Sequence, residues 1–205
     1  MPTSLLAALS GAAFGLSLIV AIGAQNVFVL RQGLRRSHVL PVVLVCAVSD
    51  VVLISAGVAG LGGILDRAPG VATAARVAGA AFLLGYAVLA ARRALRPAEV
   101  EGLEAERGTG SRSAAVLTAL ALTWLNPHVY LDTVLLLGSV AASHGDLRWW
   151  FGLGATTASL VWFTALGFGA RLVAPLFARP GAWRVLDGAI AVVMLAIAVG
   201  LLAGI

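Results

Sequence analysis

The sequence predicts an all-α integral membrane protein with six transmembrane helices arranged as two inverted three-helix repeats. Charged residues make up only 11% of the 205-residue chain, whereas soluble domains carry about 25%. Hydrophobic residues make up 60% of the chain. A soluble fold of this size cannot hide so much apolar surface from water. Composition therefore excludes a soluble enzyme, a nucleic-acid-binding protein and a disordered tail.

Six apolar runs are long enough to cross a bilayer, which requires about 20 residues in helical form. Residues 1–30 contain no charged side chain. They lack the basic start and small-residue cleavage site of a signal peptide, so we expect a retained span. Five further spans are predicted at residues 39–65, 71–91, 114–140, 149–174 and 185–205. Open strands would leave backbone groups unpaired in lipid, so each span is a helix.

The arginines orient these spans. The connections after spans 1, 3 and 5 carry eleven of the 14 basic residues. By the positive-inside rule that side faces the cytoplasm, which places both termini outside. Because the basic residues lie between apolar runs, the net charge of +5 reflects topology and predicts no nucleic-acid partner.

The two halves of the chain resemble each other. Span 2 matches span 5 at an offset of 107 residues, and both end in Gly-x-Gly; spans 3 and 6 match at an offset of 109. Spans 1 and 4 each carry an asparagine in a polar break, Asn26 and Asn126. A repeat of three spans must be inverted, as in secondary transporters. We expect residues 1–95 and 114–205 to form the repeats, with residues 96–113 as a cytoplasmic linker.

Charged side chains inside the spans are candidates for function because burying them in lipid is unfavourable. Asp50 lies roughly 16 Å into span 2, near the bilayer midplane. It either pairs with a basic residue or binds a cation or proton. Arg76 in span 3 and Asp132 in span 4 match in depth to about 5 Å, which predicts a structural ion pair. Alternatively, Arg76 extends to the outer headgroups.

The Asn126-Pro127 pair predicts a kink or break in span 4, because proline removes a helical hydrogen bond. Freed carbonyls and the asparagine amide there can bind a substrate. His128 and Asp132 are spaced i, i+4, which suits either a proton relay or a plain hydrogen-bonded pair.

Gln25 and Asn26 follow Gly23, a second weak point in a helix. Simple counting places this pair near the cytoplasmic end of span 1 rather than at the midplane. The chain has no nucleotide-binding or zinc-protease motif, and its single cysteine and one histidine within a span make a poor metal site. We therefore expect no metal and no ATP-driven pump, which leaves a transporter driven by an ion gradient.

Three blocks of sequence, at residues 21–34, 46–60 and 125–138, resemble the signatures of the LysE family of amino-acid exporters, in its lysine/arginine branch. The first block contains Gly-Ala-Gln-Asn-Val-Phe and the third contains Leu-Asn-Pro-His-Val-Tyr-Leu-Asp. The resemblance implies export of L-lysine or L-arginine across the bacterial plasma (inner) membrane, coupled to a gradient, without an organic cofactor. The family's signature positions correspond to Gln25, Asn26, Asp50, Asn126, Pro127 and Asp132.

The leading hypothesis is a basic amino-acid exporter that works by alternating access and antiport. Asp50 and Asp132 would offset the substrate's charge, the asparagines would hold its head group, and Asp50 or His128 would carry a proton. One alternative is export of neutral amino acids or another small solute. Another is an intramembrane enzyme, for which Ser49 beside Asp50 is the nearest approach to a nucleophile–base pair. The expected partners are the substrate and the lipid bilayer. The Gly-x3-Gly motifs also allow the chain to form a homo-oligomer.

Overall fold

The computed structural model describes residues 3–20, 23–60, 69–95, 111–175 and 180–203. Within these ranges the chain is almost entirely helical and contains no strand. The helices are α1 Thr3–Ile19, α2 Ala24–Arg35, α3 Val39–Val58, α4 Pro69–Leu95, α5 Arg112–Trp124, α6 Pro127–Ser143, α7 Arg148–Val173 and α8 Pro180–Ala203. This confirms the prediction of an all-α membrane protein.

Two of the predicted spans are broken helices. The axes of α1 and α2 differ by 84°, and those of α5 and α6 by 58°. Four helices are long and apolar enough to cross a membrane alone, and the total reaches six if each bent pair is one span. The break predicted at Asn126-Pro127 is confirmed. Span 1 is not the single uninterrupted run that we expected over residues 1–30.

Local side-chain chemistry explains the first break. Gly23 is extended, with φ −118° and ψ 168°, and α2 begins at the next residue. The Asn26 side-chain amide donates a hydrogen bond of 2.6 Å to the carbonyl of Ile19, the last residue of α1. That bond satisfies a carbonyl that would otherwise be exposed at a helix end. The polar Gln25-Asn26 pair therefore begins a new helix instead of ending the old one.

The second break is built around proline. Asn126 is extended, with φ −94° and ψ 106°, as expected for a residue before proline. Its side-chain oxygen accepts a hydrogen bond of 3.1 Å from the His128 backbone N–H, which caps α6. Pro127 occupies the first turn of α6, where its missing N–H is tolerated. The Tyr130 hydroxyl spans the break and donates a 2.8 Å hydrogen bond to the Trp124 carbonyl.

The middle of α6 is wider than an ordinary helix. Residues Tyr130–Leu136 form a π-helical segment, and the N–H of Leu137 bonds to the carbonyl of Asp132, five residues earlier. Such segments are rare and are frequent at functional sites. Nothing in the sequence predicted this π-helical segment, and the i, i+4 spacing argument for His128 and Asp132 assumed a regular α-helix.

Small residues bring the helices together. A Cβ on Gly154 of α7 would lie 1.8 Å from the Ala8 carbonyl oxygen of α1, and one on Gly11 would lie 1.9 Å from the Phe151 oxygen. Gly57 of α3 and Gly138 of α6 meet in the same way. In lipid the hydrophobic effect does not drive helices together. Van der Waals contacts between closely approaching backbones hold them together instead. Gly11, which begins a Gly-x3-Gly motif, thus packs against another helix of the same chain.

Two charged residues lie elsewhere than expected. Arg31 was assigned to a connection, but it lies within α2 and is buried. Asp187 was expected at the start of span 6, but α8 already begins at Pro180 and Asp187 is buried too. The two side chains form a salt bridge of 2.6 Å.

The linker residues 96–110 lie outside the described part of the chain, so the proposed division into repeats stays a prediction.

Gly79 provides a test of the packing at the second break. A Cβ at this position of α4 would lie 2.0 Å from the Leu125 backbone oxygen, whereas one on Gly85 of the same helix would meet open space. We expect Gly79→Ala to lower the free energy of unfolding by about 1–3 kcal/mol, measured by thermal unfolding in detergent. Gly85→Ala is the matched control and should be neutral or slightly stabilising. Equal stability of the two variants would contradict this packing.

Candidate functional site

A cavity of about 290 Å³ lies where the two broken helices meet α3 and α7. Its polar lining combines residues from both breaks with residues of these two helices: Gln25, Asn26, Asp50, Asn126, His128, Asp132, Thr133 and Ser159. Apolar residues, including Ile54 of α3 and Phe163 of α7, complete its wall. Six of the residues predicted from sequence therefore share one cavity. Pro127 does not line it, and the Arg76 side chain lies outside the described residues.

Asp50 is the most deeply buried carboxylate in the cavity, with an exposure of 4%. Its Oδ2 accepts a hydrogen bond of 2.6 Å from the Ser159 hydroxyl, and Ser159 is itself only 1% exposed. No basic side chain pairs with Asp50 among the described residues. Of the two roles considered for Asp50, the structural ion pair thus finds no partner in this part of the chain.

Two tryptophans fix the polar groups beside the cavity. The Trp124 indole, just before the second break, donates a 3.0 Å hydrogen bond to the Ser49 hydroxyl on α3. The Trp162 indole on α7 donates a 3.2 Å hydrogen bond to the Asn26 side-chain oxygen at the first break. Each break is therefore tied to an unbroken helix. The Ser49 hydroxyl accepts a hydrogen bond from Trp124, and Asp50 accepts one from Ser159. Asp50 is therefore bonded to Ser159 and not to the adjacent Ser49.

Asp132 lies in the π-helical segment and is half-buried. It lines the cavity with His128, and the two side chains interact electrostatically. Over the residues that the structure describes, the salt bridges join arginines to Asp187 and involve neither Asp132 nor Asp50. The cavity thus holds two carboxylates that form no salt bridge within this part of the chain, and His128 is the basic side chain beside Asp132. The predicted Arg76–Asp132 pair is not tested.

The second break offers fewer free ligand atoms than we expected. The Trp124 carbonyl is already bonded to Tyr130, and the Asn126 side-chain oxygen to the His128 N–H. Pro127 instead packs beside Gly79 of α4. By contrast, the buried amide nitrogen of Gln25 makes no hydrogen bond of good geometry among the described residues, and its neighbour is the Cys46 thiol, a weak acceptor. This nitrogen is therefore a donor that a bound molecule can engage.

The structure also explains why Gln25 and Asn26 reach the cavity. Counting along one straight helix placed them near the cytoplasmic end of span 1. The change of direction between α1 and α2 brings both residues into the same cavity as Asp50. Their depth in the membrane stays a prediction.

Ser159 was not singled out as a site residue. Ser159 lies 109 residues after Asp50, and 109 is the offset that aligns spans 3 and 6. The same offset applied to span 2 would have pointed to Ser159 as the polar counterpart of Asp50 in span 5. The alignment of spans 2 and 5 at an offset of 107 residues paired Asp50 with Thr157 instead.

No group of three metal-ligating side chains occurs within the described ranges.

Buried carboxylates and amides that converge from two broken membrane helices are typical of the substrate site of a transporter. Comparison with known proteins gives the same class. A model of the LysE type translocator family matches residues 16–204. The chain belongs to this family, as its sequence signatures predicted. It is therefore a multi-pass membrane transporter, and the alternative of an intramembrane enzyme is set aside.

Relatives match along most of their length. A protein of Mycobacterium tuberculosis, named provisionally as an amino-acid transporter, is 50% identical over 184 residues, or 90% of each chain. The arginine exporter protein ArgO of Serratia proteamaculans is 43% identical and covers 94% of each chain. The lysine exporter LysE of Corynebacterium diphtheriae is 38% identical over 92% of this chain and 95% of its own. No solved structure matches.

The Ser159–Asp50 hydrogen bond can be measured with a double-mutant cycle. Ser159→Ala removes the donor and Asp50→Ala removes the acceptor, and the double variant removes both. We expect a coupling energy of about 1.5–3 kcal/mol from unfolding free energies, because the bond is buried and its acceptor is a carboxylate. Thr157→Ala is the matched control, since this exposed α7 hydroxyl bonds only to its own helix, at the Leu153 carbonyl. A coupling energy near zero would contradict the bond.

Proposed function

We propose that this chain exports basic amino acids, L-lysine and L-arginine above all, across the bacterial plasma membrane. Transport would be driven by a gradient and would proceed by alternating access. The names of two relatives, a lysine exporter and an arginine exporter, support the substrate class. The observation that carries the proposal is the cavity itself, which Asp50 and Asp132 both line and in which neither forms a salt bridge among the described residues.

Charge complementarity favours a cationic substrate. Two carboxylates in a cavity with a largely apolar wall are poorly solvated, which disfavours their charged form unless a cation binds. A lysine or arginine side chain would neutralise one of them, and the substrate's ammonium group would interact with the other. Gln25 Nε2 is the donor available for the substrate carboxylate. Asn26 and Asn126 border the same space and limit where the head group can lie.

The size of the cavity also suits a single small molecule. Ligand pockets for small molecules usually begin near 300 Å³, and this one is about 290 Å³. A peptide or a lipid would not fit. A substrate that enters from one side of the membrane must therefore leave through a rearrangement of the surrounding helices.

The six-span inverted repeat supplies a way to make that rearrangement. The first span of each half is a broken helix, and the second span of each half, α3 or α7, contributes to the Asp50–Ser159 bond. If the halves are inverted copies, rocking one against the other would open the cavity to either side in turn. This arrangement of the spans is part of the proposal.

Export of a cation needs coupling. A membrane potential that is negative inside opposes the loss of one positive charge by about 2.3 kcal/mol per 100 mV. Inward movement of protons would offset this cost, which makes the mechanism an antiport. Asp50 and His128 both line the cavity, so either can exchange a proton for the substrate. A structural Arg76–Asp132 pair, present in the state without substrate, is compatible with this cycle.

Inverted membrane vesicles test the proposal, because export from the cell becomes uptake into the vesicle. We expect arginine and lysine, but not leucine, to accumulate when the vesicle lumen is acidic. Asp50→Asn should lower the initial rate at least tenfold, because the most buried carboxylate of the cavity loses its charge. Asp146→Asn is the control, since this exposed acid lies in the short turn before α7 and does not line the cavity.

Each outcome decides a separate part of the proposal. Leucine uptake at the rate of arginine would overturn the basic substrate class and favour a neutral amino-acid exporter. Arginine uptake that ignores the proton gradient would overturn the antiport. Uptake that is unchanged in Asp50→Asn, with the variant present at normal abundance, would remove Asp50 from the mechanism.

A further inference from the structure

One face of α3 determines the order of the polar groups in the cavity. Cys46, Asp50 and Ile54 follow one another at intervals of four residues, so they share this face and lie about 6 Å apart along the helix. Gly57 lies seven residues after Asp50, about 10 Å farther along α3. Groups from the other helices can therefore be placed by the α3 residue that they contact.

Gln25 lies before Asp50 in this order. Its side chain neighbours the Cys46 thiol, one helical turn before Asp50. Its buried amide nitrogen makes no hydrogen bond of good geometry among the described residues, and Gln25 lines the cavity. An N–H donor thus lies next to the Asp50 carboxylate. The carboxylate and ammonium groups of an amino acid are attached to one carbon, so the groups that bind them have to be adjacent in the same way.

Asp50 has one oxygen available to a ligand. Its Oδ2 accepts the 2.6 Å hydrogen bond from the buried Ser159 hydroxyl of α7. Within the described part of the chain, its Oδ1 accepts no hydrogen bond. An ammonium group binds as a point charge, whereas a guanidinium group prefers to bind both oxygens of a carboxylate. Asp50 is therefore better suited to an ammonium group than to a guanidinium group.

Asp132 lies beyond Asp50 in the same order. A Cβ on Gly57 would lie 2.5 Å from the Thr133 backbone oxygen, so α6 contacts α3 at the level of Gly57. Asp132 directly precedes Thr133 and is therefore displaced from Asp50 toward Gly57. Ile54 lines the cavity and lies on α3 between Asp50 and Gly57. An apolar surface thus separates the two carboxylates.

We propose that the cavity binds a basic amino acid in one orientation, with its carboxylate at Gln25, its α-ammonium at Asp50 and its side-chain cation at Asp132. The aliphatic part of the side chain would lie against Ile54. This inference rests on the proposed function, to which it adds a role for each residue. Gln25 and Asp50 bind the groups that all amino acids share. Asp132 is the residue that distinguishes a basic amino acid from a neutral one.

Three analogues of lysine each lack one of the groups that this orientation assigns. The α-ammonium is missing from 6-aminohexanoate, the side-chain ammonium from norleucine, and the carboxylate from cadaverine. Isothermal titration calorimetry on the purified full-length chain in detergent measures the affinity of each analogue and of lysine. The titrations are carried out at about pH 8, where protonated histidine does not compete with the ligand for Asp132.

Each substitution should weaken only the ligands that carry the group bound at that position. We expect Asp50→Asn to weaken lysine binding roughly tenfold or more and to leave 6-aminohexanoate within about twofold of its native affinity. Asp132→Asn should show the same pattern with norleucine, and Gln25→Leu with cadaverine. The analogue that a variant still binds shows that the variant is folded. Thr157→Ala, which changes an exposed α7 hydroxyl outside the cavity, is the control and should leave all four affinities unchanged.

Other patterns would overturn the orientation. If Asp50→Asn weakens lysine but spares norleucine, Asp50 binds the side-chain cation and the substrate lies the other way round. Equal losses for lysine and all three analogues would show that the substitutions act on the fold and not on separate groups of the ligand. Failure of the native chain to bind either lysine or arginine would contradict the proposed function itself, whereas lysine binding with any of the other patterns contradicts the orientation alone.

Discussion

Backbone groups within a bilayer have to find hydrogen-bond partners inside the protein, and this constraint governs how the two helix breaks are built. At the first break, Asn26 bonds to the end of α1 and also accepts from Trp162. At the second, Asn126 caps α6 and Tyr130 covers the Trp124 carbonyl. Because the breaks satisfy their own backbone in this way, they can point polar side chains into a cavity without exposing open peptide groups to lipid.

The chain separates its charges along the helices. Asp50 and Asp132 both line the cavity, whereas the salt bridge between Arg31 and Asp187 lies outside it. This bridge links the helix that follows the first break to α8. It therefore anchors the part of the bundle from which Gln25 and Asn26 enter the cavity. Because Arg31 pairs with Asp187, its charge does not neutralise the cavity carboxylates.

The sequence predicted the second break better than the first, for a physical reason. Proline has a defined effect on a helix, whereas Gly23 is one of 24 glycines, several of which serve close packing between helices. The cavity residues were found because polar side chains in apolar runs are conspicuous. Ser159 was missed because a serine in a helix usually bonds to its own backbone. The Arg31–Asp187 bridge was missed because residues 31–38 were assigned to a connection, and a wrong boundary hid a buried partner.

We propose that Asp50 and Asp132, which line the cavity beside the two breaks, form one site for a basic amino acid. Binding of radiolabelled arginine to the purified chain tests this site directly, without dependence on coupling or orientation. We predict one saturable site per chain, competition by lysine but not by leucine, and at least tenfold weaker binding in both Asp50→Asn and Asp132→Asn. Arginine binding that survives both substitutions unchanged, in folded protein, would show that these carboxylates do not form the site.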